Sequence, residues 1–161
     1  MTKYIAILRG INVGGKNKIL MAGFRDILSK LGFSNVVSYI QSGNIILQSN
    51  KIKDTYKIAA IIKESIAHNY GFDVPVIIRT AEELREIYNK NPYLKNYEIE
   101  RLYLTFLDDV PLKTNIDSID TAAYLPDKFE VNGKNIFGYY HGRVSDSKLT
   151  NNFYEKKLKI T

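Results

Sequence analysis

Two β-branched runs, Val36–Ile40 and Ile45–Gln48, are separated only by Gln41-Ser42-Gly43-Asn44. Four turn-forming residues between two extended runs predict a hairpin, and Gly43 and Asn44 tolerate the positive φ that such a turn demands. A hairpin joins antiparallel neighbours. The sheet is therefore at least partly antiparallel, which argues against the mainly parallel α/β architectures.

The flanking segments complete a pattern. Lys3–Leu8 reads as a strand, and Met21–Leu31 as a helix with Phe24, Ile27, Leu28 and Leu31 on one face, stopped by Gly32. Lys53–Tyr70 repeats the helical period through Ile58, Ile61, Ile62, Ser65 and Ile66 and ends at Gly71. Val74–Ile78 is a strand that Pro75 places at a sheet edge. Strand, helix, strand, strand, helix, strand is the split βαβ, ferredoxin-like order.

The second half opens on the capping box Thr80-Ala-Glu-Glu83, predicting a helix to about residue 89 that Asn91-Pro92 breaks. Arg101–Leu107 reads as a strand central in its sheet. Ile116–Ile119 is helical in pattern. Ala122–Leu125, Phe129–Val131 and Ile136–Tyr140 read as short strands with a turn at Asn132-Gly133, and Ser147–Leu158 as a closing helix. The second half approximately repeats the first. The expected class is α+β: two ferredoxin-like halves, 1–79 and 80–161, from an internal duplication, with mixed or antiparallel sheets and packed as one compact unit.

A chain of 161 residues with 45% hydrophobic and 25% charged residues can bury a real core. It has no cysteine, which removes disulfides, thiolate catalysis and cysteine-ligated metals. The apolar run near the start is too short for a signal segment, and no stretch approaches the roughly 20 residues of a membrane span, so a cytoplasmic protein without membrane contact is expected. A net charge of +6 suits anionic partners, although scattered lysines are more simply read as solubility charge. The two histidines, His68 and His141, lie in no carboxylate pattern that predicts a metal site.

Arg9-Gly-Ile-Asn12-Val-Gly14-Gly15-Lys16-Asn17-Lys18 follows the first strand and precedes the first helix. It nearly fits a phosphate loop, with Asn17 where that motif has a hydroxyl residue, and Leu102–Leu107 before Asp108-Asp109 imitates a metal-holding strand. The hairpin speaks against a nucleotide hydrolase. Binding of some anion through the Gly14 and Gly15 N–H groups and Lys16, with Arg9, Asn12 and Asn17 alongside, is compatible with the pattern. The simpler alternative is a glycine-rich connector with solvated lysines. Gln41, Ser42 and Asn44 either present polar groups to the same ligand or only form the turn.

Tyr139-Tyr-His-Gly-Arg143 admits stacking of a base with Arg143 on a phosphate, although tyrosines on a strand more commonly pack. Ser147-Lys148 has helix N-cap chemistry, and a lysine at a helix start is unfavourable unless an anion lies there. Glu82-Glu83 and Glu98–Glu100 read as a helix first turn and a loop rather than as catalytic carboxylates.

With Leu8–Asn17, Leu31-Gly-Phe33 and Tyr39-Ile-Gln-Ser-Gly-Asn44 in register, the chain resembles a bacterial family of uncharacterised proteins, the DUF1697 family. Val74-Pro-Val-Ile-Ile-Arg-Thr-Ala-Glu-Glu-Leu84, Asn91-Pro92 and Ser147-Lys-Leu-Thr-Asn151 with Phe153 and Glu155 extend the likeness over most of the chain. The resemblance implies an α+β fold of two related halves and no established reaction. Members usually continue past the equivalent of Leu158-Lys-Ile-Thr161 into a segment containing Thr-Arg-Asn-Trp-Asn-Thr, whereas this chain stops at Thr161 and has no tryptophan. A site short of that segment is therefore an expectation. The leading function is binding of a small phosphate- or carboxylate-bearing ligand, a nucleotide among the candidates, at residues 9–18. RNA binding by the sheet through Phe137 and Tyr139 and a protein-interaction role are the alternatives, and no cofactor or catalytic residue is indicated.

Overall fold

The computed structural model describes residues 2–160. The chain divides into two compact units, the first running through Glu86 and the second starting at Ile87. The first contains β1 (Thr2–Leu8), α1 (Met21–Lys30), β2 (Ser34–Tyr39), β3 (Asn44–Ser49), α2 (Thr55–Tyr70) and β4 (Val76–Thr80), and α3 (Ala81–Asn89) starts in it. Its sheet runs β2-β3-β1-β4 with every neighbour antiparallel, so β4 is an edge strand as Pro75 suggested.

Alternation along the strands places Tyr4, Ala6, Leu8, Ile45, Leu47 and Ile78 in one buried cluster with Phe24 and Leu28 of α1 and Ile58, Ile62 and Ile66 of α2. Each of the isoleucines, leucines and Phe24 contributes about 1.5–3 kcal/mol when fully buried. The helix ends follow local chemistry. Asp54 caps α2 by accepting from Tyr56 N at 2.9 Å and Lys57 N at 3.3 Å, and Gly71 closes it at φ +78°. The box at α3 is reciprocal: Thr80 N donates to Glu83 Oε2 at 2.6 Å and Glu83 N to Thr80 Oγ1 at 3.1 Å.

The second unit holds β5 (Leu102–Phe106), α4 (Lys113–Asp117), β6 (Lys128–Asn132), β7 (Asn135–Tyr139) and α5 (Asn151–Leu158). Its antiparallel sheet has the order β5-β7-β6. The apolar run at 101–107 is thus an edge strand, not a central one. The central strand is β7, whose consecutive Ile136, Phe137 and Gly138 are all buried. Residues 122–125 are not a strand: Thr121–Tyr124 is a 3₁₀ turn, because Asp120 accepts from Ala122 N at 3.1 Å and starts a turn. The closing helix begins at Asn151 rather than Ser147, with Thr150 capping Phe153 N at 3.2 Å. The described residues of this unit supply three strands against four in the first. The class is α+β with two antiparallel sheets, and a duplication of ferredoxin-like halves is not confirmed.

Tyrosines bury their hydroxyls in the second unit. Burial pushes Tyr93 up to about 12, helped by Glu130 and Tyr97. Burial likewise raises Tyr154, which the neighbouring Tyr140 raises further, and it raises Tyr140 itself. A raised acid keeps its proton longer in the folded than in the unfolded state, so the associated stability is complete below the ordinary value of 10.0 and is lost above it. Denaturant titrations are expected to show stability falling as pH rises from about 10 to 12. Tyr154→Phe should flatten that slope; an equally steep slope in the variant would contradict the assignment.

Candidate functional site

Between β1 and α1 the chain makes a small hairpin of its own. Gly14 and Gly15 have φ of +58° and +75°, and Lys16 N donates to Val13 O at 3.1 Å. Two consecutive left-handed residues closed by that bond form a type I′ turn, which is why two glycines stand in succession. Below the turn Asn12 N donates to Asn17 O at 3.1 Å. Asn12 and Asn17 are also left-handed, at +53° and +49°.

Both asparagines brace the loop. Asn12 Nδ2 donates to Ile19 O at 3.1 Å and to Gln41 O at 2.9 Å, while its Oδ1 accepts from Ile19 N at 2.8 Å. Asn17 Nδ2 donates to Gly10 O at 3.0 Å. This is not a phosphate-cradling loop. The Lys16 N–H is committed to Val13, Asn17 commits its amide to Gly10, and the sheet is antiparallel.

The turn after β2 seats directly on this loop. Leu8 N donates to Gly43 O at 3.0 Å. Gly43 has φ +91°, and a Cβ there would lie 2.9 Å from Leu8 Cβ and 3.0 Å from Ile11 Cδ1, so only glycine fits. Asn44 starts β3, and the second left-handed residue is Ile40, at φ +51°, rather than Asn44. For a β-branched residue that conformation costs on the order of 1–3 kcal/mol. The two segments singled out in the sequence therefore meet, through Asn12–Gln41, Leu8–Gly43 and Ile11–Gly43.

The groups left facing outward are different residues. Arg9, Gly14, Gly15, Lys16, Lys18, Gln41 and Ser42 are exposed. Asn44 Nδ2 donates to Ser42 Oγ at 3.0 Å. Neither a capping side chain nor an acidic residue compensates the start of α1. Charge is also unevenly placed along the chain. Residues 1–53 hold eight lysines and arginines and one acidic residue, Asp26, leaving 15 basic and 16 acidic residues elsewhere out of totals of 23 and 17. The net +6 is thus +7 in the first third less 1 in the remainder. That asymmetry is legible in the sequence when charge is counted by segment, although over the whole chain the lysines are scattered.

In the second unit the candidates have other duties. Ser147 Oγ donates to Asp127 Oδ2 at 2.6 Å and accepts from Leu149 N at 3.1 Å, while His141 N donates to Asp127 Oδ1 at 2.8 Å. Lys148 is exposed three residues ahead of α5, outside its first turn, so the helix-dipole reason for singling it out falls away. Arg143 is exposed before a short 3₁₀ turn, Val144–Asp146. The aromatic surface is occupied by packing. Tyr140 is buried and its hydroxyl donates to Leu149 O at 3.0 Å, the Tyr139 ring lies 3.9 Å from that of Tyr97, and Phe137 is 2% exposed. Among the described residues no group of three or more His, Asp or Glu side chains could hold a metal ion, and no helix is long and apolar enough to cross a membrane.

The fold is that of an α+β protein with two antiparallel sheets, carrying a braced, cationic loop at one end of the first. The chain belongs to the DUF1697 family of proteins of unknown function, whose pattern matches residues 1–137. It is similar to a solved structure, the conserved bacterial protein SP0830 from Streptococcus pneumoniae, at 27% identity and a TM-score of 0.67, over 96% of this chain and 81% of that one. No curated protein matches the chain. Both first-unit loops lie within the family match, whereas Arg143, Ser147 and Lys148 lie beyond it.

Bracing and outward-facing residues should separate by stability. Asn12→Ala removes three side-chain hydrogen bonds and is expected to cost roughly 2–4 kcal/mol in thermal or chemical unfolding. Lys16→Ala is expected to stay within about 0.5 kcal/mol of the parent. Equal effects would show that the loop is not built this way.

Proposed function

We propose that this is a cytoplasmic protein that binds a small phosphate- or carboxylate-bearing ligand on the joined surface of residues 9–18 and 41–44. The observation that supports it most is the division of labour in that surface. Asn12, Asn17 and Gly43 fix the backbone, which leaves the Gly14 and Gly15 N–H groups, Lys16, Lys18 and the Gln41 and Ser42 side chains facing outward. A loop held in shape before the ligand arrives loses little entropy on binding. The concentration of cationic residues in the first third adds a field of the right sign.

The set contains no histidine and no carboxylate, so it supplies no general acid–base pair of its own. Binding suits it better than a reaction. Arg9 enters as an exposed cation at the end of β1, and Arg143 and Lys148 are not needed. The ferredoxin-like order of the first unit supports a further proposal, that the second unit is a related half with one strand fewer. A second reading, an RNA strand on the same surface, is favoured only by the charge asymmetry.

A thermal-shift series with pyrophosphate and citrate tests the proposal. A ligand at 100 times its Kd adds about 2.7 kcal/mol to stability. The melting temperature is expected to rise with pyrophosphate, less so at high salt, and Lys16→Ala should lose most of the rise while Lys156→Ala keeps it. A rise unaltered in Lys16→Ala, or none in the parent, would refute the site.

A further inference from the structure

Helices α1 and α2 pack on the sheet side that carries Tyr4, Ala6, Leu8, Ile45 and Leu47. The opposite side is built from the alternate residues, in two cross-strand rows. One row is Val37, Ile46, Ile5 and Arg79; the other is Tyr39, Asn44, Ile7 and Ile77. Tyr39 is the last residue of the edge strand β2 and is 67% exposed.

A single exposed tyrosine means little. Its surroundings give this one significance. Strained Ile40 follows it, and Gln41, whose carbonyl Asn12 holds at 2.9 Å, comes next. Asn44 stands directly across from it in the sheet and commits one amide hydrogen to Ser42, which leaves its carbonyl oxygen and second hydrogen for another partner. The ring, a free amide edge and the cationic loop are thus carried to the same end of one sheet by β2, β3 and the loop between β1 and α1.

We propose that the ligand of this surface is a nucleotide, with its phosphates on the Gly14-Gly15 turn and Lys16 and Lys18, and its base stacked on Tyr39 with an edge toward Asn44. The assignment rests on the anion site proposed above and adds the ring. Stacking on an aromatic side chain is tolerant of base identity, because every base has a π face, whereas an amide partner favours bases with a donor and acceptor in reach. The stacking position lies on Tyr39, not on the Tyr139-Tyr140 pair that packing occupies.

Calorimetric titration of the full chain with the ribonucleoside triphosphates and with inorganic tripolyphosphate, without magnesium, separates the two claims. At least one nucleotide is expected to bind on the order of ten times more tightly than tripolyphosphate. Tyr39→Leu should erase that advantage and leave tripolyphosphate affinity unchanged, Tyr39→Phe should keep it, and Lys16→Ala should weaken both ligands. Because Tyr39 is exposed, each variant should melt like the parent, which confirms that the fold is intact. Equal affinities for nucleotide and tripolyphosphate, indifferent to Tyr39→Leu, would overturn the nucleotide assignment and leave the anion site standing. Absence of binding by any of these compounds would overturn both.

Discussion

The carboxamide of Asn12 is the interaction on which the candidate site depends. With Ile19 it closes both ends of the β1–α1 loop, through bonds of 3.1 and 2.8 Å, and with Gln41 it ties that loop to the turn between β2 and β3. Gly43 completes the junction from the other side, where its missing side chain lets Leu8 and Ile11 approach. Two loops at the same end of the neighbouring strands β1 and β3 become one surface. Without the amide, the tie to Gln41 and both bonds to Ile19 are lost, and the loops keep the Leu8–Gly43, Asn12–Asn17 and Lys16–Val13 backbone bonds and the Asn17–Gly10 bond.

That junction also explains why a near-match to a phosphate loop is not one. In a phosphate loop the glycines open the backbone around the anion and the following helix points at it in a parallel sheet. Here Gly14 and Gly15 serve a type I′ turn, the Lys16 N–H closes that turn, and the sheet is antiparallel. The same residue letters satisfy a different local need. The anion surface proposed for this chain is the outside of a tight hairpin rather than the inside of a cradle, and its cations do more of the work than its amides.

Elements set by local chemistry were legible in the sequence. The helix stop at Gly71 and the capping box at Thr80 stand where their residues placed them. The hairpin between β2 and β3 is present with its turn one residue earlier, at 40–43, because Ile40 takes the left-handed conformation read for Asn44. Elements set by partners distant in sequence were not. The run at 101–107 reads as central by its hydrophobicity, but β7 takes that place, with Ile136, Phe137 and Gly138 buried in succession and both other strands paired to it. At 122–125 a single capping aspartate outweighed the apolar pattern. Among the site residues, an asparagine that binds a ligand and one that braces a loop look the same in one dimension, so Asn12 and Asn17 entered as ligand groups. Tyr39 and Tyr139 are likewise indistinguishable until burial separates them. The charge asymmetry is legible only segment by segment, because the near-balanced remainder of the chain dilutes the basic first third.

Native-state amide hydrogen exchange on the unliganded protein tests the braced hairpin most directly. Leu8, Asn12 and Ile19 N–H groups, held by Gly43 O, Asn17 O and Asn12 Oδ1, should exchange slowly, with protection approaching that of the β1–β3 ladder. Gly14 and Gly15, at the tip of the turn, should exchange near the rate of an open peptide. If Asn12 and Ile19 instead exchange as fast as the two glycines, the loop has no fixed shape before binding, and the central claim fails.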